Sequence, residues 1–157
     1  MIETIREGGM EYLIVVLGSC FDEIKNVIND GEAVIIHNSK WCEGISTSIY
    51  CGLKNIPDNY DSAIFFVVDQ PFLSADHIKR FVNYYQSNQA DILSTSVQEQ
   101  LCHPVLFTRR IFPALMQLKG DQGGKYLFNR YGVERFHTKE DKLLWDIDSE
   151  DDLSRLE

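Results

Sequence analysis

A carboxylate at the end of a strongly apolar run is the first residue whose position could do chemistry. Residues 62–68 are almost wholly apolar, and Asp69, Gln70 and Pro71 follow them. Mg²⁺ takes one or two protein carboxylates and completes its shell with water and substrate phosphates, so Asp69 could hold a metal ion against a phosphate. Asp69 could equally cap the turn that Pro71 imposes. Spacing alone leaves both interpretations open.

A second acidic site lies near the carboxyl end, where Asp146 and Asp148 flank Ile147. Because side chains alternate along an extended segment, the two carboxylates would face the same side. The alternative is helix capping, in which Ser149 or Asp148 opens a final helix over residues 151–156 and the acids favour its amino end. Capping explains Asp146 less well.

Two polar turns could bind a small molecule. Residues 38–48 form a hydroxyl-rich turn that leads into a helix, where amides and hydroxyls suit a sugar, base or phosphate; its candidate residues are Glu43, Gly44, Ser46 and Ser48. The second group joins His103, at a strand start, to the glycine-rich turn 120–125; its candidates are Asp121, Gly123 and Gly124, with Lys125 as the cation. A well-capped helix, a structural histidine and a tight connection between helices are the alternative interpretations.

Strands and helices alternate along the chain, which predicts an α/β fold with a mainly parallel sheet. The predicted strands cover residues 11–18, 32–38, 62–69, 91–96, 104–107 and 133–138, the fourth and fifth paired antiparallel. The predicted helices cover residues 21–29, 46–53, 75–86, 111–118, 123–131 and 151–156. Ligands of such sheets bind beyond the carboxyl ends of the strands, so the residues expected at the site are Gly18, Asn38 and Asp69, with the loops after them.

Composition narrows the class of protein. The 157 residues predict one domain over residues 1–157, and the formal net charge of −9 argues against a nucleic-acid binder. The four cysteines form no C-x-x-C pair, and no apolar run is long enough for a membrane span. We therefore expect a cytoplasmic protein with free thiols.

The order of these motifs resembles the MobA/MocA-like nucleotidyltransferases, in particular the molybdenum cofactor cytidylyltransferases. Residues 38–53 resemble the family's N-x-x-W-x-E-G-M-x-S-S…G-L segment, and residues 69–71 resemble its D-Q-P. Residues 102–107 resemble G-H-P-V-L-F, residues 120–125 resemble G-D-x-G-A-R, and residues 146–151 resemble D-I-D-T-P-E-D. The likeness runs in order through the whole chain.

The resemblance implies a Rossmann-like nucleotidyltransferase fold with helices on both faces of the sheet, CTP or another nucleoside triphosphate as donor, and Mg²⁺. A terminal phosphate of a molybdopterin-type acceptor would attack the α-phosphorus and release pyrophosphate. By the same resemblance Asp69, with Asp146 or Asp148, would hold the metal and serve catalysis. Glu43, Gly44, Ser46 and Ser48 would lie near the nucleoside, and His103, Asp121, Gly123 and Gly124 near the acceptor.

The chain departs from the resemblance at its start. Family members begin with a strand and the loop L-A-A-G-x-S-x-R-M-G-x-x-K, which holds the triphosphate, and Met1 aligns after that loop. The first strand would lie between the strands ending at Gly18 and Asp69. Without it two apolar edges are unpaired. We predict that the two strands close up directly, or that a second chain fills the gap, with a homodimer as one form.

Three interpretations of the short chain are open. It is a shortened form of an enzyme, a nucleotide- or cofactor-binding accessory protein without transfer activity, or an assembly protein with a molybdoenzyme partner. Phosphoryl transfer depends on positioned Lys, Arg and metal, so without the loop's cations this chain alone should be nearly inactive.

Overall fold

The computed structural model describes residues 1–28, 31–147 and 152. The strands are β1 (Ile14–Leu17), β2 (Val34–His37), β3 (Ser62–Phe65), β4 (Ile92–Val97), β5 (Gln100–Thr108) and β6 (Glu134–Thr138). The α-helices are α1 (Ile2–Glu7), α2 (Phe21–Lys25), α3 (Ile45–Lys54), α4 (Ala75–Asn88), α5 (Phe112–Leu115) and α6 (Phe128–Tyr131). The α/β prediction is confirmed. Asp148 and the predicted helix over residues 151–156 lie outside the residues that can be described in full.

The strands form two separate sheets. β1 pairs with β2 in parallel, and a four-stranded sheet has the order β3-β5-β4-β6. In the larger sheet β5 is antiparallel to both neighbours while β4 and β6 are parallel, so β3, β4 and β6 point the same way. The antiparallel pairing of the fourth and fifth predicted strands is confirmed.

The two sheets approach each other through β1 and β3. The rings of Tyr12 and Tyr60, which precede these two strands, stack with their centroids 5.1 Å apart. From this contact both strands lead along opposite sides of a cleft of about 2610 Å³. They therefore share one direction, and β5 is the single reversed strand among the six described.

β1 and β3 do not pair with each other, so the prediction that they close up directly is wrong. Packed helices set their separation. α3 contacts both β1 and α5, and α1 packs on α4. Gly8 lies so close to Ile78 of α4 that an added Cβ would come within 2.6 Å of it. Closing the gap would break these contacts, so the two edges stay apart.

Both faces of the larger sheet are covered by apolar clusters, because neighbouring strand residues point to opposite faces. Ile92 and Phe107 pack with α3 and α5 on one face. Leu93 and Leu106, each one residue away, pack with Phe81 of α4 on the other. Helices therefore cover both faces, as predicted.

Some elements are shorter than predicted. The strand predicted over residues 62–69 pairs only as far as Phe65, which lies opposite Val105. The next partner would be Pro104, which has no amide hydrogen to donate. The helix predicted over residues 123–131 is a 3₁₀ turn, Gly124–Leu127, followed by α6.

Ser74 caps α4, since its hydroxyl accepts a hydrogen bond from the amide of His77 at 3.1 Å. In the described part of the chain, no helix has the length and apolar character that crossing a bilayer requires.

Candidate functional site

Two hydrogen bonds, one between backbone groups and one from a side chain, bring the segments of the predicted carboxylates together. The carbonyl of Asp69 accepts a hydrogen bond from the amide of Ile147 at 2.9 Å. The side chain of Gln70 is buried, and its Nε2 donates to the carbonyl of Leu143 at 3.2 Å. These bonds hold the segment before and after Asp146 against the residues that follow β3.

Asp69 has a buried oxygen without a partner. Its Oδ1 is shielded from solvent and makes no hydrogen bond to any described group, and the same is true of Gln70 Oε1. Leaving a buried polar atom unpaired costs about 1–3 kcal/mol, so such an atom is expected to meet a ligand, ion or water. An orphaned carboxylate oxygen fits the hard donor that Mg²⁺ or Mn²⁺ prefers.

The donor set is small. Among the described residues no group of three or more His, Cys, Asp or Glu side chains is arranged to hold a metal ion. Asp69 and Asp146 are two carboxylates, and Asp148, the third predicted ligand, lies outside the described residues. One or two carboxylates suit a cation that also binds phosphates and water, and do not suit an all-protein metal cage.

His103 on β5 faces this acidic pair. Burial lowers the pKa of His103, while the charges of Asp69 and Asp146 pull it upward. The imidazole is therefore neutral near pH 7 and offers one donor and one acceptor. Its neighbour Cys102 has a pKa raised to about 11 by burial and by Asp146, which keeps the thiol protonated.

Asn38 organises the hydroxyl-rich turn before α3. Its side chain is buried, and Nδ2 donates to Thr47 Oγ1 at 2.9 Å and to Ser48 Oγ at 3.0 Å. Its Oδ1 accepts from the amide of Lys40 at 3.0 Å. The hydroxyl of Ser48 is thus fixed in direction and still lines the cleft.

The two predicted ligand-binding turns touch each other. Ser46 is buried, and its amide donates to the carbonyl of Gly120 at 3.1 Å. Gly44 has a φ of +107°, and a Cβ there would lie 2.2 Å from the carbonyl carbon of Gly120. A Cβ at Gly124 would lie 2.5 Å from Cζ at the tip of the Phe107 ring. Glycine is required at these close approaches, which hold the turn 120–124 against the start of α3 at Gly44 and against β5 at Gly124.

The structure therefore divides the predicted residues into three groups. Ser48, His103, Asp121, Gly123 and Gly124 line the cleft. Asp69 and Asp146 lie beside its carboxyl end, and their charges act to raise the pKa of His103. Glu43 is exposed on the 3₁₀ turn Trp41–Glu43, while Gly44 and Ser46 contact Gly120 and not the cleft.

Gln70 and Asn38 are organising residues to which the sequence analysis assigned no role, although it placed Asn38 among the strand ends to examine. Both are amides that follow a strand, Gln70 after β3 and Asn38 after β2. A polar side chain directly after an apolar strand was the signal for each. Their partners lie elsewhere in the fold, and the sequence alone does not reveal them.

Most of the chain matches a known protein family. Residues 1–136 match the MobA-like NTP transferase domain. The chain belongs to this family. Solved structures of similar fold include nucleotidyltransferases, whose Rossmann-like architecture this chain shares. Among curated proteins, none matches the chain significantly.

Three solved structures illustrate the likeness in fold. The manganese complex of Rv0371C from Mycobacterium tuberculosis H37Rv is 21% identical with a TM-score of 0.81, over 99% of this chain and 82% of that one. A 4-diphosphocytidyl-2C-methyl-D-erythritol synthase from Anaerococcus prevotii is 15% identical with a TM-score of 0.79, over 98% and 81%. Molybdopterin-guanine dinucleotide biosynthesis protein A from Archaeoglobus fulgidus is 16% identical with a TM-score of 0.66, over 90% and 75%.

Proposed function

We propose that this chain binds a nucleoside triphosphate, with CTP as the first candidate, together with Mg²⁺ at Asp69 and Asp146, for transfer of the nucleotide to a molybdopterin-type phosphate. The observation that carries the proposal is the orphaned, buried oxygen of Asp69 beside Asp146 and His103, in a member of the MobA-like NTP transferase family. Asp148 is a further candidate ligand. The metal would neutralise charge on the phosphates as the transfer proceeds.

The proposed transfer requires little acid or base catalysis by the protein. An oxygen of the acceptor's terminal phosphate attacks the α-phosphorus, the new P–O–P bond forms, and the bond to the bridging oxygen breaks to release pyrophosphate. A phosphate monoester has a second pKa near 6, so the attacking oxygen is already deprotonated at pH 7. The protein's part is positioning and charge neutralisation.

The residues that line the cleft fit the two substrates as the resemblance suggests. Ser48, with its hydroxyl fixed by Asn38, would contact the nucleoside, near Glu43, Gly44 and Ser46. Neutral His103 would donate to the acceptor, and the turn that carries Asp121, Gly123 and Gly124 would enclose it. The hydrogen bond between the two turns would keep the two proposed subsites in a fixed position relative to each other.

The supply of cations limits catalysis. Among the described cleft-lining residues, Lys125 is the one cation at the carboxyl end. Arg6, Arg109 and Arg110 line the opposite end, where they bond to Glu32, Tyr60 and Asp91. Loss of a single preorganised donor commonly costs about 10²–10³ in rate. We therefore expect little or no cytidylyl transfer by the 157-residue chain alone.

The decisive test is calorimetric titration of CTP in the presence of Mg²⁺, with GTP and ATP in parallel. We expect saturable binding that Asp69→Asn weakens at least tenfold and that the matched exposed variant Asp22→Asn leaves unchanged. Nucleotide binding that ignores Asp69 would contradict the proposed metal site. It would favour the second candidate, an accessory or assembly protein with a molybdoenzyme partner.

Transfer itself is measured separately, by following CMP from labelled CTP onto molybdopterin. Transfer above background by the chain alone would contradict the expected inactivity while supporting the proposed reaction.

A further inference from the structure

Two aromatic rings form a corner beside the acidic pair. The rings of Phe72 and Trp145 meet edge to face, with their centroids 5.9 Å apart and their planes at 84°. Pro71 and Leu144 extend this aromatic corner, which lines a cavity of about 240 Å³. Pockets that enclose a drug-sized molecule have volumes of about 300–1,000 Å³, so this cavity suits one flat ring system and not a whole nucleotide.

The aromatic corner and the proposed metal site are built on the same two segments. Residues 69–72 and residues 143–147 each contribute one of the rings and one of the carboxylates. Two hydrogen bonds of 2.9 and 3.2 Å tie these segments together on either side of Trp145. The rings are therefore held next to the carboxylates, independently of any ligand.

The indole of Trp145 is the free surface of the aromatic corner, since Trp145 is 52% exposed. The Nζ of Lys142 lies 4.9 Å from the centre of the Phe72 ring, so a cation already occupies one face of the phenyl ring. A single exposed apolar side chain is ordinary in a folded protein. Trp145 differs from an isolated one because it borders a cavity and because its amide donates to the carbonyl of Lys142 at 3.1 Å, which holds its main chain.

Charge limits what the cavity can take. Asp146 lines the cavity together with the apolar side chains. A ring with a negative charge would be repelled by this carboxylate, while a neutral ring that carries N–H donors would be attracted to it. A phosphate could approach the same carboxylate only through a cation.

We propose that the aromatic corner binds the flat, neutral heteroaromatic ring of a phosphorylated ligand whose phosphate reaches the metal at Asp69 and Asp146. Trp145 and Asp146 are neighbours with Cα atoms about 3.8 Å apart, so a short linker between ring and phosphate spans both positions. The indole stacks on the ring, and the edge of the cavity at Phe72 limits its size.

The inference rests on the proposed function in one respect, since it takes the ring to belong to the acceptor. The nucleotide is proposed to lie at Ser48 in the cleft, and neither Phe72 nor Trp145 lines that cleft. The aromatic corner is therefore a separate place, which the second substrate can occupy while the nucleotide is bound. A pterin is flat, neutral and rich in N–H donors, as the cavity requires.

The first experiment tests the ring alone, without phosphate, metal or nucleotide. The probe is 6-hydroxymethylpterin, whose own fluorescence is followed as the 157-residue chain is added. We expect saturable quenching, because the indole stacks on the ring. Trp145→Ala should weaken binding about tenfold or more, and Trp145→Phe should restore most of the affinity. Tyr50→Ala, at a 45% exposed aromatic residue on α3 outside the corner, should leave it unchanged.

The second experiment joins the ring to the phosphate. The phosphate ester of 6-hydroxymethylpterin should bind about tenfold more tightly than the alcohol when Mg²⁺ is present, and Asp69→Asn should abolish this gain. Binding through Trp145 without the gain would support the ring site and contradict the proposed metal site. Binding of CTP that depends on Asp69, with no binding of either pterin, would support the proposed metal site and contradict the ring site.

Three further results would overturn the inference. The first is pterin binding that Trp145→Ala leaves unchanged. The second is tighter binding of cytidine with the same dependence on Trp145, which would assign the corner to the base of the nucleotide. The third is a loss of stability in Trp145→Ala as large as that of a core substitution, measured by urea denaturation, which would show that the chain itself covers the indole.

Discussion

The two sheets differ in how completely their strands are buried and paired. In the four-stranded unit (β3, β5, β4 and β6) every residue of β4 is buried. In the two-stranded unit (β1 and β2) Leu17 alone is buried, and Val34 is exposed. A central strand needs a neighbour on each side, and β1 has one. The segments that carry Asp69, Asp146 and His103 lie on the four-stranded unit, while one edge of β1 has no partner strand among the described residues.

The four-stranded unit also packs against a buried polar network centred on His77. His77 of α4 is fully buried, with Nδ1 3.3 Å from Glu140 Oε1 and Nε2 3.1 Å from Thr95 Oγ1. Arg80 also bonds to Glu140. The comparison shows that the proposed metal site rests on the more completely buried of the two sheets.

The largest effect should come from the core of the four-stranded unit. Phe107 is buried against Phe65, Phe128 and Gly124, so Phe107→Ala should lower the free energy of unfolding by about 3–5 kcal/mol. Urea denaturation measures this. Val68→Ala, at a side chain 87% exposed, is the control and should change it little. Equal losses in the two variants would contradict the assignment of the core.

The next effect should come from the contact between the two turns. Gly44→Ala would push a Cβ into Gly120 at a positive φ, and should cost about 2–3 kcal/mol. Gly9→Ala is a matched control, since Gly9 has a φ of +97° with nothing within 4 Å of the added atom. The difference between the two variants isolates the close approach. If they lose the same stability, backbone strain alone accounts for the cost.

A matched pair of valines tests the comparison directly. Val105 is buried in the four-stranded unit, so Val105→Ala should cost roughly 2 kcal/mol, two methyl groups plus a small cavity. Val16 is half-buried beside the cleft, and Val16→Ala should cost less than about 1 kcal/mol. Thermal unfolding of both variants gives the comparison. A larger loss at Val16 would mean that the cleft is closed in solution.

The smallest effect concerns pH. Burial lowers the pKa of His77 below its ordinary value of 6.5, so the unfolded chain binds a proton first and stability falls as pH drops below about 6.5. Burial would raise the pKa of Glu140, but bonds from Arg80 and His77 hold it below 4.5, so its contribution is lost only at lower pH. His77→Gln should cost about 1 kcal/mol at neutral pH and flatten the fall between pH 6.5 and 4.5.

Denaturation of wild type and His77→Gln at several pH values measures this slope. His103, whose pKa is also lowered by burial, keeps its share, so the slope should be reduced and not abolished. An unchanged slope would show that His77 is already charged in the folded state.

Local sequence patterns predicted the elements and the acidic strand end. The apolar runs located the core of each strand. The position of Asp69 after β3 pointed to a site that the orphaned oxygen supports. These features depend on neighbours in the chain, which a sequence displays.

The sequence did not predict the contacts between residues that are far apart along the chain. Nothing in residues 44 and 120 shows that their backbones touch, and nothing in Gln70 shows that it bonds to Leu143. The open cleft was mispredicted because the separation of β1 and β3 is set by helices that pack across both sheets. The roles assigned to individual site residues stay predictions.

The bond between the Asp69 carbonyl and the Ile147 amide joins main chain to main chain. Almost any side chain at either position leaves it intact, proline at residue 147 excepted. The peptide that carries residue 146 is therefore held in place independently of what residue 146 is. The side chain at residue 146 can therefore change without any change in the loop that presents it beside Asp69.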